Sequence, residues 1–191
     1  MSKVIGIDLG TTFSAIASLD DLGNPEVLAS IEDNRKITAS AVYLKDKEVI
    51  VGDKALNYLK DQSKNVILQT KREMENEVVY STDEGKWVDD KNLVDAYTPA
   101  QVSALILKKL KEYTNDVKKV VITVPAMFAE KARQATLDAA KIADLEVIEL
   151  INEPTAAVLH YASLPGVEVG GRVMIFDLGG GTFDVTFAEV K

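Results

Sequence analysis

The chain has no cysteine among its 191 residues and only one histidine. Without cysteine there can be no disulfide, no thiol nucleophile and no cysteine-zinc site. No apolar run approaches the roughly 20 residues that a membrane-spanning helix needs. The opening MSKVIGIDLG has one lysine before a brief apolar stretch, which is not the pattern of a secretory signal peptide. We therefore expect a cytoplasmic protein without a membrane partner.

Basic residues are also scarce, since 22 lysines and arginines face 30 acidic residues for a net charge of −8. A chain this acidic is poorly suited to bind a nucleic-acid backbone or an anionic membrane. A local site for a small polyphosphate remains compatible with this composition.

Three common motifs of catalysis and nucleotide binding are missing. The phosphate loop Gly-x-x-x-x-Gly-Lys-Ser/Thr does not occur, and Gly179-Gly180-Gly181 lacks the Gly-x-Gly-x-x-Gly spacing of a dinucleotide site. The single histidine, His160, lies in an apolar helical pattern and is a poor candidate for a hydrolase base. If this chain binds nucleotide, its phosphate site must use neither of these two motifs.

The pattern of apolar residues predicts an α/β protein. Residues 4–9, 12–19 and 26–30 read as a three-strand antiparallel meander. After residue 119, strands alternate with helices, which predicts parallel strands joined by crossover helices. Thr98-Pro99 has the form of a helix start, with Thr98 as N-cap.

Three units follow from this pattern. Residues 1–36 and 116–172 form a discontinuous core subdomain, and the charge-rich residues 37–115 form a smaller inserted α+β subdomain. Residues 173–191 form a final hairpin.

One turn occurs twice. Asp8-Leu9-Gly10-Thr11-Thr12 follows a buried strand, at the end where α/β sheets place ligands. Gly10 allows a sharp turn, so that backbone N–H groups of residues 10–12 can converge on an anion. A carboxylate repels phosphate, so Asp8 needs a cation between them, and Mg²⁺ with retained waters suits this role.

The second copy is Asp177-Leu178-Gly179-Gly180-Gly181-Thr182. One Asp-Leu-Gly turn alone is more often structural than functional. Two copies, each flanked by strands and followed by threonine, favour two loops that grip one polyphosphate from opposite sides.

Two further candidates stay open from the residues alone. Glu153 begins a helix at Asn152-Glu153-Pro154, where the helix N-terminus should keep its carboxylate ionised, but a simple helix cap is the plainer interpretation. Lys71 looks like a solvated lysine. Phosphoryl transfer needs some lysine or arginine, and the sequence does not choose which.

Five segments carry a resemblance to a known family. IDLGTTFS, VVITVPAMF, ARQATLDAAKIA, INEPTAAVLHYA and MIFDLGGGTFDV occur in this order and spacing in the DnaK-type heat-shock chaperones. The chain resembles the first half of their ATPase domain, over most of residues 3–36 and 98–190. The resemblance implies an actin-like (ribonuclease H-like) ATPase fold, with a mixed sheet and an inserted subdomain.

The resemblance also implies a set of functional residues, with ATP or ADP, Mg²⁺ and a candidate K⁺ as cofactors. Asp8 and Asp177 would orient Mg²⁺ through water, and Glu153 would join this outer sphere. Lys71 would position the attacking water, and Asp184 would help to place that water or the monovalent ion. The catalytic set is Lys71, Asp8, Glu153, Asp177, Thr182 and Asp184. The phosphate-binding set is Gly10, Thr11, Thr12, Phe13, Gly179, Gly180, Gly181 and Thr182.

The implied function is that of a stress-response chaperone that couples ATP hydrolysis to binding and release of unfolded polypeptides. Pro125 and Arg133 match residues that couple nucleotide state to the peptide-binding domain. A J-domain co-chaperone and a nucleotide exchange factor are the implied partners. A small-molecule kinase or an actin-like filament protein are the alternatives of the same fold, and the NEPTAA and TFDV motifs argue against them.

The chain departs from the family pattern in places. Glu73-Met74-Glu75-Asn76 replace an apolar-Gly-Arg run, residues 37–115 are fewer than usual, and Phe13 replaces a tyrosine. We expect a fragment that binds ATP weakly at best and does not hydrolyse it at the rate of a whole chaperone, so sub-micromolar ATP binding by a monomer would contradict this expectation. Because isolated hairpins are marginal, residues 173–191 should pair with another molecule.

Overall fold

The computed structural model of the protein describes residues 4–46, 48–90, 92–115, 117–167, 171–180 and 183–189. Its strands are β1 (Val4–Asp8), β2 (Phe13–Leu19), β3 (Pro25–Val27), β4 (Thr38–Ala39), β5 (Ala41–Lys45), β6 (Glu48–Val51), β7 (Val66–Leu68), β8 (Val79–Ser81), β9 (Lys86–Val88), β10 (Ala96–Tyr97), β11 (Lys119–Val124), β12 (Glu146–Asn152), β13 (Arg172–Leu178) and β14 (Phe183–Glu189). The helices are α1 (Asp53–Leu56), α2 (Pro99–Lys111), α3 (Glu130–Ile142) and α4 (Glu153–Ala162), with 3₁₀ turns at Ser63–Asn65 and Thr70–Glu73.

The central sheet is mixed, in the order β12-β11-β1-β2-β3, with β4 paired to β2. Strand β2 runs antiparallel to β1 and β3, which confirms the meander. Strands β1, β11 and β12 are parallel, which confirms the crossover pattern. The third strand ends at Val27, earlier than predicted, because the chain turns where the Ser30 N–H donates to the Arg35 carbonyl.

Helix α2 begins as the sequence predicts. The Gln101 N–H donates to Thr98 Oγ1 at 3.2 Å, and Gln101 Oε1 accepts from the Thr98 N–H at 2.8 Å. This reciprocal capping box satisfies two N–H groups that the first turn leaves unpaired. Among the described residues, no helix has the length and apolar character needed to cross a membrane.

The main core is continuous from the central sheet through α2 into the strands beyond it. Ile7 and Ile122 from the sheet and Leu107 from α2 belong to the same buried cluster as Val42 and Ile67. Helix α3 packs against α2 through buried alanines, which allow close approach of the two helices. Residues on both sides of the predicted boundary at 36–37 thus share one core, and the three-unit division stays a prediction.

Three small sheets complete the fold. They have the orders β6-β5-β7, β10-β8-β9 and β13-β14. The last is an antiparallel hairpin in which Asp177 lies opposite Asp184. One face of this hairpin is apolar and bare, with side chains that are 43–81% exposed: Met174, Phe176, Leu178, Phe183, Val185 and Phe187.

A cluster of charged side chains joins the segment after β3 to both α1 and α2. Glu32 accepts from Lys109 Nζ at 2.5 Å and from Lys54 Nζ at 2.6 Å, and Lys109 also donates to Glu112 at 2.9 Å. The hydrogen bond from Lys109, followed by that from Lys54, lowers the pKa of Glu32 from its ordinary 4.5 to about 2. The ionised form of Glu32 is therefore favoured by folding.

We expect the Glu32→Gln variant to lose a pH-dependent part of the stability. A carboxyl group whose pKa falls on folding contributes stability above its unfolded pKa and loses this contribution as the pH falls through the folded value. The difference in unfolding free energy between the two proteins should be constant above pH 4.5 and shrink towards pH 2. Urea unfolding across this range measures it. Glu130→Gln, at an exposed carboxylate without an ion pair in the described chain, is the control, and a constant difference at Glu32 would contradict the prediction.

Candidate functional site

The first Asp-Leu-Gly turn lies between β1 and β2. The parallel register of β1 and β11 places Asp8 beside Thr123, whose hydroxyl donates to Asp8 Oδ1 at 3.2 Å. A Cβ atom at Gly10 would lie 2.0 Å from the carbonyl oxygen of Phe13. Only glycine fits this turn, as the sequence predicts. Thr123 was missed, although a polar residue near the carboxyl end of the apolar strand VVITVP was a usable signal.

Two buried serines brace the same turn from behind. The Ser40 hydroxyl donates to the Gly10 carbonyl at 2.7 Å, and the Ser40 N–H donates to the Thr12 carbonyl at 2.8 Å. Since the Ser40 proton is used in this way, the Ser14 hydroxyl donates to Ser40 Oγ, at 2.9 Å. Buried hydroxyls without partners are costly, so this chain of hydrogen bonds fixes the turn.

The second Asp-Leu-Gly turn follows β13 and touches the first. A Cβ atom at Gly180 would lie 1.8 Å from Thr12 Oγ1 and 2.8 Å from Thr12 Cβ. The two turns can come this close only because residue 180 has no side chain. Gly181 and Thr182, which belong to the predicted phosphate-binding set, lie outside the described residues.

Lys71 belongs to the 3₁₀ turn Thr70–Glu73, which starts after Gln69 in a left-handed conformation (φ 55°). Its Nζ forms an ion pair with Glu153 Oε1, and the two side chains are only 11% and 17% exposed. The plainer interpretation of Lys71 as a solvated lysine is therefore wrong for this structure.

Glu153 is the first residue of α4 and faces three charged side chains. Burial raises the pKa of the Glu153 carboxyl, the charge and hydrogen bond of Lys71 oppose this rise, and the carboxylates of Asp8 and Asp177 add to it. The net direction is opposite to that expected from a helix N-terminus alone. Burial beside two other carboxylates outweighs the helix terminus at this position.

These residues line one cavity of about 590 Å³. Ten predicted site residues contribute to its wall: Asp8, Gly10, Thr11, Thr12, Phe13, Lys71, Glu153, Asp177, Gly179 and Gly180. Thr123, Pro154, Ala156, Ala157, Ile175 and Phe176 complete it. Three carboxylates face one lysine here, so the cavity has an excess of negative charge that favours a cation.

Asp184 lies outside this wall, on β14. It is half-buried and directly opposite Asp177 in the hairpin register. Like charges opposite each other destabilise a strand pair, so a cation near this pair would relieve the repulsion.

Pro125 and Arg133 also lie outside the cavity wall, but Arg133 contacts Asn152, the residue directly before the lining residue Glu153. Arg133 Nη2 donates to Asn152 Oδ1 at 2.6 Å, and its Nε donates to the Phe128 carbonyl at 3.1 Å. Pro125 is buried at the end of β11, and its carbonyl accepts from the Phe128 N–H at 3.1 Å. Arg133 is thus bonded to the residue that directly precedes Glu153.

The donor set suits a metal ion bound with phosphate and water rather than one held by protein alone. Within the described part of the chain, no three acidic, histidine or cysteine side chains come close enough to hold a metal ion. The close approach of two glycine turns leaves backbone N–H groups free of side-chain cover, which suits phosphate oxygens. The residues present therefore fit a magnesium-bound polyphosphate.

The mixed sheet with its helices and acidic cleft is the α/β arrangement of the actin-like ATPases. The model of the Hsp70 protein family matches residues 4–191, and the chain belongs to the Hsp70 family. The family assignment supports a chaperone ATPase module that binds ATP. It confirms the resemblance at the level of the family and favours it over the kinase and filament alternatives.

Proposed function

We propose that this chain is the ATP-binding and ATP-hydrolysing module of a DnaK-type chaperone. The observation that carries the proposal is the contact between the two glycine turns at Thr12 and Gly180, above a cavity that holds Asp8, Asp177 and the Lys71–Glu153 pair. Two glycine turns that meet at one cavity can direct backbone N–H groups at the same polyphosphate chain.

Asp8 and Asp177 would hold Mg²⁺ through water molecules, with Glu153 in the same outer sphere. Bound Mg²⁺ would neutralise charge on the phosphate oxygens. The Thr123 hydroxyl fixes the orientation of the Asp8 carboxylate through its hydrogen bond. Backbone N–H groups and hydroxyls of Gly10, Thr11 and Thr12 would bind phosphate oxygens. On the opposite side, Gly179 to Thr182 would do the same.

Lys71 would orient the attacking water and stabilise charge on the γ-phosphate. Its ion pair with Glu153 holds the ammonium group at the cavity wall, where solvent is largely excluded. Electrostatic groups act more strongly in such a setting than in water, because they need no reorganisation. Asp184, opposite Asp177, would place the same water or a K⁺ ion.

The contact of Arg133 with Asn152 supports a role in coupling, since it connects α3 to the start of α4 beside Glu153. We propose that Pro125 and Arg133 transmit nucleotide state to unfolded polypeptide binding, with a J-domain co-chaperone and a nucleotide exchange factor as partners. The proposed setting is the stress response in the cytoplasm.

The bare apolar face of the β13–β14 hairpin supports a further contact. Large exposed apolar patches mark interaction sites, and six large apolar side chains of this hairpin are exposed. Self-association through this face is proposed, and a monomer by light scattering at high concentration would contradict it.

The experiment that tests the metal assignment replaces the aspartate of each Asp-Leu-Gly turn separately. Asp8→Asn and Asp177→Asn keep the size of the side chain and remove its charge. We expect each variant to need about tenfold more Mg²⁺ for half-maximal ATP hydrolysis, because a metal-orienting charge is lost. Asp61→Asn, which lines a different cavity, is the control. An unchanged magnesium dependence in both turn variants would contradict the proposed roles.

A further inference from the structure

The four residues that depart from the family pattern, residues 73–76, include one that contacts the start of α3. Glu75 Oε1 accepts a hydrogen bond from the Ala129 N–H at 3.1 Å. Ala129 is the N-cap of α3, and its methyl side chain makes no cap hydrogen bond. The third helical position is Ala132, so α3 also lacks the glutamate or glutamine that closes a capping box.

Glu75 thus supplies from another segment the carboxylate that a capping box would provide from within the helix. The position is favourable for an anion, because the helix N-terminus carries a partial positive charge. Glu130, one residue further along, has the same charge. Its side chain makes no hydrogen bond or ion pair with the described part of the chain. Of these two glutamates, Glu75 is the one that contacts Ala129 and so joins its segment to the start of α3.

Neighbouring contacts hold the same stretch in place. Met74 is 3% exposed, and its sulfur accepts from the Ser103 hydroxyl on α2 at 3.5 Å. Glu77 Oε1 lies 2.8 Å from Lys131 Nζ on α3. Residues 74–77 are therefore anchored on both helices rather than forming a free loop.

The contacts continue from α3 back to Lys71. Arg133 follows Ala129 by one helical turn, and its own N–H donates to the Ala129 carbonyl at 3.1 Å. Arg133 Nη2 then donates to Asn152, the residue before Glu153, and Glu153 pairs with Lys71. Lys71 precedes Glu75 by four residues, so these contacts form a closed circuit from Glu75 through α3 and Glu153 back to Lys71.

We propose that Glu75 is a positioning residue for ATP hydrolysis, which holds the turn of Lys71 against the start of α3 and so fixes Lys71 relative to Glu153. The proposal rests on the function proposed above. Glu75 is exposed and does not line the cavity, so it acts through Lys71 rather than on the nucleotide.

The kinetic test compares variants that separate capping from positioning. Misplacement of a catalytic group lowers turnover more than binding, so Glu75→Ala should lower kcat about tenfold and change KM for Mg-ATP by less than about twofold. Glu75→Gln keeps an acceptor oxygen and should stay close to the wild type. Glu130→Ala removes the same charge from the same helix end, so it should have no effect on kcat.

The decisive variant adds Ala129→Asp to Glu75→Ala. An N-cap aspartate stabilises the start of α3 by accepting from the N–H of the second or third helical residue, but it does not reconnect α3 to the Lys71 turn. We expect kcat to stay low in this double variant. Recovery of kcat would show that Glu75 only stabilises the helix, and an undiminished kcat in Glu75→Ala alone would equally overturn the proposal.

Hydrogen exchange provides a readout that needs no ATP. The amides of residues 70–74 should exchange faster in Glu75→Ala and in the double variant than in the wild type, while those of α3 recover protection in the double variant. If the wild type neither binds nor hydrolyses Mg-ATP, the proposed function fails, while this exchange pattern still tests the contact between Glu75 and α3. Unchanged exchange at residues 70–74 in Glu75→Ala would refute the proposal that Glu75 positions the Lys71 turn.

Discussion

Lys71→Ala should abolish most ATP hydrolysis while leaving nucleotide binding largely intact. The ammonium group faces the cavity beside Glu153 with an 11% exposed side chain. A charge placed there stabilises the transferred phosphoryl group mainly in the transition state. We expect kcat to fall by about a thousandfold or more, with the dissociation constant for Mg-ATP changed by less than about threefold.

Single-turnover hydrolysis with protein in excess measures this effect, because it detects slow reactions and separates chemistry from binding. Lys108→Ala, at an exposed lysine of α2 that lines a different cavity, is the matched control. A kcat that survives within a few-fold in the Lys71 variant would show that another group stabilises the transferred phosphate.

Gly180→Ala should separate the two turns and weaken nucleotide binding. The new methyl group would meet both Thr12 Oγ1 at 1.8 Å and Thr12 Cβ at 2.8 Å. Rotation of the threonine could move its oxygen but not its Cβ, so the backbone of one turn must shift. Since one hydrogen bond to a charged group is worth about 1.5–3 kcal/mol, the loss of a phosphate contact should lower the affinity for Mg-ATP at least about tenfold.

The matched control for this variant is Gly6→Ala, in β1 two residues before Asp8. A Cβ atom at Gly6 has no other heavy atom within 4 Å among its described neighbours. This substitution should leave affinity unchanged, and the free energy of unfolding should not fall. Equal effects of the two substitutions on Mg-ATP affinity would show that the contact between the turns has no role in binding.

Local signals were sufficient where the structure depends on neighbouring residues. The Thr98 N-cap and the tight turn at Gly10 follow from residue types within a few positions of each other. The parallel strands follow from the alternation of strand and helix patterns. Both copies of the repeated Asp-Leu-Gly turn also line one cavity, while their role as phosphate-binding loops stays a prediction.

Contacts between distant parts of the chain carried no such signal. Lys71 and Glu153 are 82 residues apart, and Glu75 and Ala129 are 54 residues apart. Neither pair has a local pattern that distinguishes it from exposed surface charge, and only the fold brings them together. The raised pKa of Glu153 has the same origin, since its burial depends on how α4 packs rather than on its place at a helix start.

Supporting hydroxyls were missed for a related reason. Ser14, Ser40 and Thr123 support the Asp8 turn through hydrogen bonds that connect β1, β2, β11 and the residue after β4. Serine and threonine are common at turns and on surfaces, so their presence alone predicts little. Their role became visible only when the partners of the Gly10 carbonyl and the Asp8 carboxylate were known.

The most direct test of the two-turn site is a titration of Mg-ATP into isotopically labelled protein, followed by amide chemical shifts. This measurement detects both weak and tight binding. The site predicts the largest shift changes at Gly10, Thr11 and Thr12 together with Gly179 and Gly180, in the presence of Mg²⁺ and with smaller changes in its absence. Shift changes confined to one turn, or located elsewhere in the protein, would contradict a polyphosphate site shared by both.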